Sequence, residues 1–469
     1  VRDIAITKSR AELLKENILL FVPIYNVDGH EMSSPYNRIN QNGPDEMGWR
    51  ATSAGLNLNR DYMKADAPET RAFLKLWNEW KPDFFFDLHV TDGADFQYNI
   101  TYEYAHFQED SPFVKDWMNA HFDGKIKAEV EKEGNLLTHY LEFGGREVTS
   151  GIFTFIATPR YATGYAALRN RPGLLIETHS LKPYKSRVRG TYDVLWKTLE
   201  EINKSKASLF EANKKADEEA VSYDSNDRFP LQVGLTDKSE PFQLKAVEYK
   251  FEDSQISGGK KLVYGTKSLE ITVKKYDEGK VNASVAPPRF YVIPPQYTEV
   301  IERLEAHGIK LERMKNEFGI EVESYRLTEP KWAQSPFENR VPVSYKITPI
   351  KEVRTFPSNS VLVSTRQETS NVLIHLLEPA SNDSLVYWGF FNSIFEMKEY
   401  FSDYIMEKIA AEMLAKDAEL RKEFEEKLKD DAFAKSARAR LQFFYQRSPY
   451  ADKRIGVYPV GRIMKEFRK

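Results

Sequence analysis

The sequence predicts an α/β protein: a mixed, mostly parallel sheet flanked by helices, then a β-rich second domain and a helical C-terminal region. Three observations carry this expectation. Short apolar strands alternate with amphipathic, helix-length stretches across residues 17–207, as in a sheet buried on both faces. From Phe229 to about Thr365 the pattern turns to period-two alternation, with prolines at Pro287, Pro288, Pro294 and Pro295. From about Phe395 to Tyr445 the chain is dense in Glu, Lys, Ala and Leu at helical spacing. At 469 residues it exceeds the size at which one core keeps growing, so two or three domains are expected. The pattern divides it into residues 1–212, a charged, apolar-poor linker over 213–227, a β-rich part over 228–380 and a helical part over 381–469.

Taken in order, Asn17 to Ile24 is an apolar run ending in the turn signal Tyr25-Asn-Val-Asp-Gly29, which predicts a buried strand entering a loop. Ala67-Pro-Glu-Thr-Arg71 opens an amphipathic helix over Ala72 to Trp80, stopped by Lys81-Pro82. Asp83 to Val90 and Gly173 to Glu177 read as strands, and Tyr192 to Ala207 as the helix after the second. In the β-rich part, Lys267 to Val273 alternates as a strand, and Gln296 to His307 is a helix stopped by Gly308.

A net charge of −3, with 67 basic and 70 acidic side chains, leaves no electrostatic footprint for nucleic acid or an anionic membrane. No apolar run approaches the roughly 20 residues that span a bilayer. Val1-Arg-Asp-Ile-Ala-Ile6 has no signal-peptide pattern. Cysteine is absent, so a metal would rest on histidine and carboxylate.

The residues suited to chemistry lie at strand ends and one turn. His89 closes the strand Phe84-Phe-Phe-Asp-Leu-His89, where α/β enzymes place their sites, and Asp87, two positions back on the same face, is placed to orient its ring. A lone histidine is more often a hydrogen-bonded structural residue, and Asp87 can equally serve backbone donors. Asn59 and Arg60 put an amide beside a guanidinium, which grips a carboxylate bidentately. Arg50 precedes them by ten residues. The plainer reading pairs Arg60 with Asp61 or Asp66. Glu177 ends the strand begun at Gly173, where burial raises a carboxyl pKa and suits it to proton transfer; His179 follows on the same face. Either can instead be a satisfied polar residue.

In order and spacing, Asn26-Val-Asp-Gly29, Arg50-Ala-Thr-Ser-Ala-Gly-Leu-Asn-Leu-Asn-Arg60, Asp87-Leu-His89 and Leu175-Ile-Glu177 resemble the zinc carboxypeptidase family of metallopeptidases, over roughly residues 10 to 200. The resemblance implies a zinc carboxypeptidase-like sheet and a substrate that is a peptide with a free C-terminal carboxylate. It implies one Zn2+ with His89 as third ligand, and Glu177 as general base and acid. Arg50 would stabilise the oxyanion, while Asn59 and Arg60 hold the terminal carboxylate. Tyr165 would be the tyrosine that covers the substrate, with Tyr161 the second choice. A periplasmic or extracellular place is implied in the same way.

The pattern departs from the family at its first two ligands, a His-x-x-Glu that belongs before the Asn-Val-Asp-Gly segment. His106/Glu109, His139/Glu142 and His375/Glu378 match the spacing but follow His89, and with eight histidines chance explains them. The economical expectation is a catalytic domain truncated at its N-terminus, with two of three ligands upstream of Val1 and little zinc or activity of its own. Two other readings compete: a non-catalytic protein that binds the carboxylate ends of peptides or cell-wall chains, and a deacylase of N-acyl amino acids in the same superfamily.

Overall fold

A computed structural model describes residues 1–107 and 111–465. The protein is mixed α/β, with several sheets flanked by helices. The sheet that concerns the site has four strands: β1 (Phe85–Thr91), β2 (Ile100–Glu103), β3 (Leu137–His139) and β4 (Gly173–His179), in the order β1-β4-β2-β3. β1 runs parallel to β4 and β2 parallel to β3, while β2 and β4 are antiparallel, so the sheet is mixed.

Helix α1 (Pro68–Trp80) begins with proline in its first turn and ends at Lys81, whose left-handed backbone and following Pro82 prevent continuation. Its buried face carries Leu74 and Trp77. Phe73 and Trp77 meet Phe85 of β1 with ring centroids 5.6 and 5.4 Å apart, and Trp77 also meets Tyr165 at 5.9 Å. Such aromatic pairs add about 0.5–1.5 kcal/mol each beyond the area they bury. Phe84 and Phe86 pack instead on the core that contains Trp117. The alternation along β1 therefore places Asp87 and His89 on the Phe85 side, further along the strand.

The expected strand over Asn17 to Ile24 does not form. The run is irregular, with Ile18 78% and Phe21 54% exposed. Apolarity proposes a strand, but a strand exists only where another offers its backbone hydrogen bonds, and none pairs with this run among the described residues. The expected linker over 213–227 is helical as far as Ser222: α3 (Tyr184–Ser222) is 39 residues long and buries Ala212, Asn213, Ala216 and Ala220. The helix after Pro294-Pro295 forms over Thr298–Ala306.

Beyond α3, a six-stranded antiparallel sheet takes in Phe290–Ile293, Phe318–Trp332, Val343–Phe356 and Val361–Ser364. Its interior also admits Gly461–Ile463, so the segment 381–469 is helical over Asp403–Arg447 but returns to this sheet at its end. One apolar core runs through both expected halves, joining Tyr62, Leu74 and Tyr165 to Tyr291, Leu304 and Leu376. No described helix is long and apolar enough to cross a membrane.

Candidate functional site

The site is built where β1 and β4 end side by side. Their parallel register sets His89 opposite Glu177 and Asp87 opposite Leu175. His89 Nε2 lies 2.8 Å from Asp87 Oδ2, so the carboxylate two residues back orients the ring and leaves Nδ1 as the other nitrogen. Burial opposes charging of this imidazole, but the charge and hydrogen bond of Asp87, helped by Glu177, outweigh it and raise the ring to about 9.

Burial pushes the Glu177 carboxyl up to about 7 against the pull of His89; Asp87 and Asp92 push it further up, and Arg50 pulls it down. Its Oε2 is buried without a hydrogen-bond partner. A buried carboxylate oxygen left unpaired costs free energy, so it marks a place where a ligand would be welcome.

The residues from Arg50 to Arg60 are held from two sides. Asn26 caps the short helix Val27–Glu31, its Oδ1 accepting from the Gly29 amide at 2.9 Å. The Gly29 carbonyl accepts from the Trp49 amide at 2.6 Å, and a Cβ on Gly29 would lie 2.5 Å from the Trp49 carbonyl oxygen, so only glycine permits this approach. Asp28 accepts from the amide and hydroxyl of Ser53 at 2.9 and 2.5 Å. The Asn-Val-Asp-Gly segment thus acts as a brace for Arg50.

The turn Leu58–Arg60 follows, with Asn57 accepting the Asn59 amide at 3.1 Å. Asn59 Oδ1 is buried without a partner. Arg60 donates to the Asn59 carbonyl at 2.8 Å, and its guanidinium lies over the Tyr161 ring, 4.3 Å from the centroid. The plainer partners for Arg60 are taken. Asp61 is fully buried, bonded to Lys64 and to the amides of Asp66 and Ala67, while Asp66 is held by Arg303 and Arg340.

Tyr165 does not line this cluster. It is fully buried in the short helix α2 (Ala162–Leu168), with its hydroxyl 3.0 Å from His307 Nδ1 and accepting from Arg169 at 2.9 Å. The tyrosine expected to cover a substrate thus lies in an all-buried helix, away from the Arg60 turn. Tyr161, which precedes α2, is the tyrosine beside Arg60. His179 is also structural: Nε2 donates to the Ala94 carbonyl at 2.7 Å and Nδ1 accepts from the Leu181 amide at 3.1 Å. His139 pairs with Glu103 and Asp123 rather than with Glu142. His375 bonds Ser381, whereas Glu378 bonds Tyr291 and Tyr325. Glu109 lies outside the described residues.

Tyr140 and Asp92 also bear on Glu177. Burial raises the Tyr140 pKa, to which Glu177 and Asp92 add, and its hydroxyl accepts from Thr91 at 3.4 Å. Neither carries a motif; both arrive by folding alone.

A hydrolytic zinc uses about three protein ligands. Among the described residues no group of three or more His, Cys, Asp or Glu side chains could hold a metal ion. The residues present, with His89 the single imidazole at this place, do not by themselves fit such an ion.

Part of the chain is similar to fungal carboxypeptidases. It is 28% identical over 102 residues to Carboxypeptidase 2 of Trichophyton tonsurans and to that of Trichophyton equinum, covering 22% of this chain and 19% of each relative. It is 26% identical over 98 residues to the probable carboxypeptidase 2 of Arthroderma benhamiae, covering 21% and 19%. The match thus spans about a fifth of the length of these relatives. No family model and no solved structure matches the chain.

Proposed function

We propose that this is a carboxypeptidase-like site that takes the free C-terminal carboxylate of a peptide, with Glu177 as the group that would take a proton from the water that attacks the terminal peptide bond and return it to the amine that leaves as that bond breaks. The observation that carries it is the unpaired, buried Glu177 Oε2 opposite His89, in the field of Arg50. A carboxyl held near neutral pH both takes and gives a proton, which general acid–base work requires. Arg60, steadied by the Tyr161 face, and Asn59 are the carboxylate clamp; Arg50 is the cation for a developing oxyanion. Tyr161 takes the substrate-facing role expected of Tyr165. For zinc, the proposal extends to His89 as one donor, its ring oriented by Asp87 and giving up its proton to bind. The described residues supply no further set, so the chemistry proposed for this chain is binding and proton handling.

A second reading, a binding protein for carboxylate-terminated chains, is favoured by that incomplete donor set. Calorimetry with pooled N-acetyl-Ala-X dipeptides and their C-terminal amides tests the clamp. The acids are expected to bind at least about tenfold more tightly, from a charge-assisted hydrogen bond of about 1.5–3 kcal/mol, and Arg60→Ala to abolish the difference. Equal affinity of acids and amides for the unaltered chain would refute both readings. Turnover of the same peptides separates them.

A further inference from the structure

We infer that Glu338, at the tip of the hairpin joining Phe318–Trp332 to Val343–Phe356, is a positioning residue for the turn that carries Asn59 and Arg60. The inference rests on the carboxylate-clamp reading of that turn. Glu338 Oε2 accepts the backbone amide of Asn57 at 2.8 Å, across 281 residues of sequence. Asn57 is the residue whose side chain caps the turn, accepting from the Asn59 amide at 3.1 Å. A carboxylate from the second half of the chain therefore holds the residue that sets the backbone of both clamp side chains.

The hairpin tip is shaped for this contact at a steric cost. Phe337 and Arg340 exchange both backbone hydrogen bonds, at 2.8 and 3.1 Å, closing a two-residue turn over Glu338 and Asn339. Both central residues have positive φ, 51° and 65°. Turns of this kind favour Asn-Gly, and a glutamate at the first central position carries backbone strain that glycine would not. Strained residues persist where their surroundings over-determine them, and they gather at functional sites. Here the surroundings do so from both sides. Arg340 makes two bonds to Asp66, at 2.6 and 2.8 Å, and lies 4.0 Å from the Phe390 ring centroid, while Phe337 stacks on Trp388. Asp66 is itself tied back toward the clamp, since its amide donates to Asp61, the residue after Arg60. The hairpin is thus anchored by Arg340, and Glu338 is the arm that reaches the turn.

Three variants of the full chain test this: Glu338→Ala, Glu338→Gly and Glu338→Gln. Glycine removes both the carboxylate and the strain, and glutamine keeps an acceptor. The first readout is amide hydrogen exchange at Asn57 and Asn59, which is independent of any ligand. Exchange is expected to rise at least tenfold in the Ala and Gly variants and to stay within twofold in Gln. The second is the acid-to-amide affinity ratio for the pooled N-acetyl-Ala-X dipeptides, expected to fall about fivefold in Ala and Gly and to hold in Gln. A merely structural contact would lower the melting temperature in both deletions; a positioning role predicts that Gly loses the ratio while melting no lower than the parent chain. Unchanged exchange in Ala and Gly would overturn the role of Glu338 whatever the ligand result. An absent acid preference in the parent chain would overturn the carboxylate reading while exchange still decides the contact.

Discussion

Glu177 faces His89 across the parallel β1–β4 ladder, and each changes the other's ionisation: Glu177 helps raise the imidazole to about 9, and His89 restrains a carboxyl that burial has pushed up to about 7. Near neutral pH the imidazole is therefore charged while the acid is poised at its midpoint. That is the ionisation the proposed proton-transfer role of Glu177 requires.

Glu177→Gln is expected to stabilise the fold at alkaline pH. The carboxyl has a folded value of about 7 against an ordinary 4.5, so between those pH values the unfolded chain has released a proton that the folded chain retains. Stability of the parent chain then falls as pH rises through that window. Removing the charge recovers at most about 3 kcal/mol at pH 8 and nothing at pH 4. Urea unfolding at the two pH values measures it. An advantage of Gln that is equal at both would contradict the burial argument, and any peptidase turnover retained by the variant would remove Glu177 from its proposed role.

Zinc content separates the donor argument from the motif argument. One imidazole supplies a fraction of the coordination that a hydrolytic zinc uses. Purified chain equilibrated with zinc and dialysed is expected to retain far less than one ion per molecule, and His89→Ala to change that content little. Stoichiometric zinc that His89→Ala removes would show that the described side chains rearrange to complete a shell.

The nearness of these candidate residues was readable where it rests on local order. His89 and Glu177 lie near the ends of two apolar strands, and parallel pairing of those strands sets the two side chains in register. Asn59 and Arg60 share one turn, so their adjacency needs no tertiary information. Tyr161 and Tyr165 could not be told apart on that basis. They stand four residues apart around the start of α2, and the partner that encloses Tyr165, His307, lies 142 residues away in sequence. The continuation of α3 was present in the sequence as Ala212, Ala216 and Ala220, a stripe at helical spacing whose small side chains are easily overlooked among charges. The run Asn17 to Ile24 failed for the opposite reason: its apolarity was plain, but pairing is a property of two strands.

A second ionic cluster predicts alkaline lability. His106 lies 3.1 Å from Glu103 and 3.7 Å from Asp277; His139 lies 3.2 Å from Glu103 and 3.3 Å from Asp123. Burial opposes charging of both rings, but these carboxylates outweigh it, raising His106 to about 10 and His139 to about 9. Histidines raised on folding contribute stability that is complete below about 6.5 and lost as pH climbs through those folded values. His139→Gln should remove a pH-dependent part on the order of 2–3 kcal/mol, reduced where the rings share Glu103. Unfolding at pH 6.5, 8 and 10 should show a steep decline in the parent chain and a flatter one in the variant. Parallel declines would place the alkaline sensitivity elsewhere.

Tyr165 and Tyr161 are expected to divide stability from recognition. His307 Nε2 donates to the Met63 carbonyl at 2.9 Å, and burial depresses this imidazole to about 3, so the neutral ring presents Nδ1 as an acceptor for the Tyr165 hydroxyl. Tyr165→Phe strands that nitrogen and takes an acceptor from Arg169, a loss of about 1–3 kcal/mol of stability. Acid-over-amide preference should survive it, because the ring lies in the core. Tyr161→Ala removes the face beneath Arg60, where a cation–π contact is worth about 0.5–2 kcal/mol, so the preference should fall severalfold with little change in stability. Tyr161→Phe keeps the face and should retain most of it. If Tyr165→Phe instead erased the preference at unchanged stability, the substrate-facing tyrosine would be Tyr165 after all.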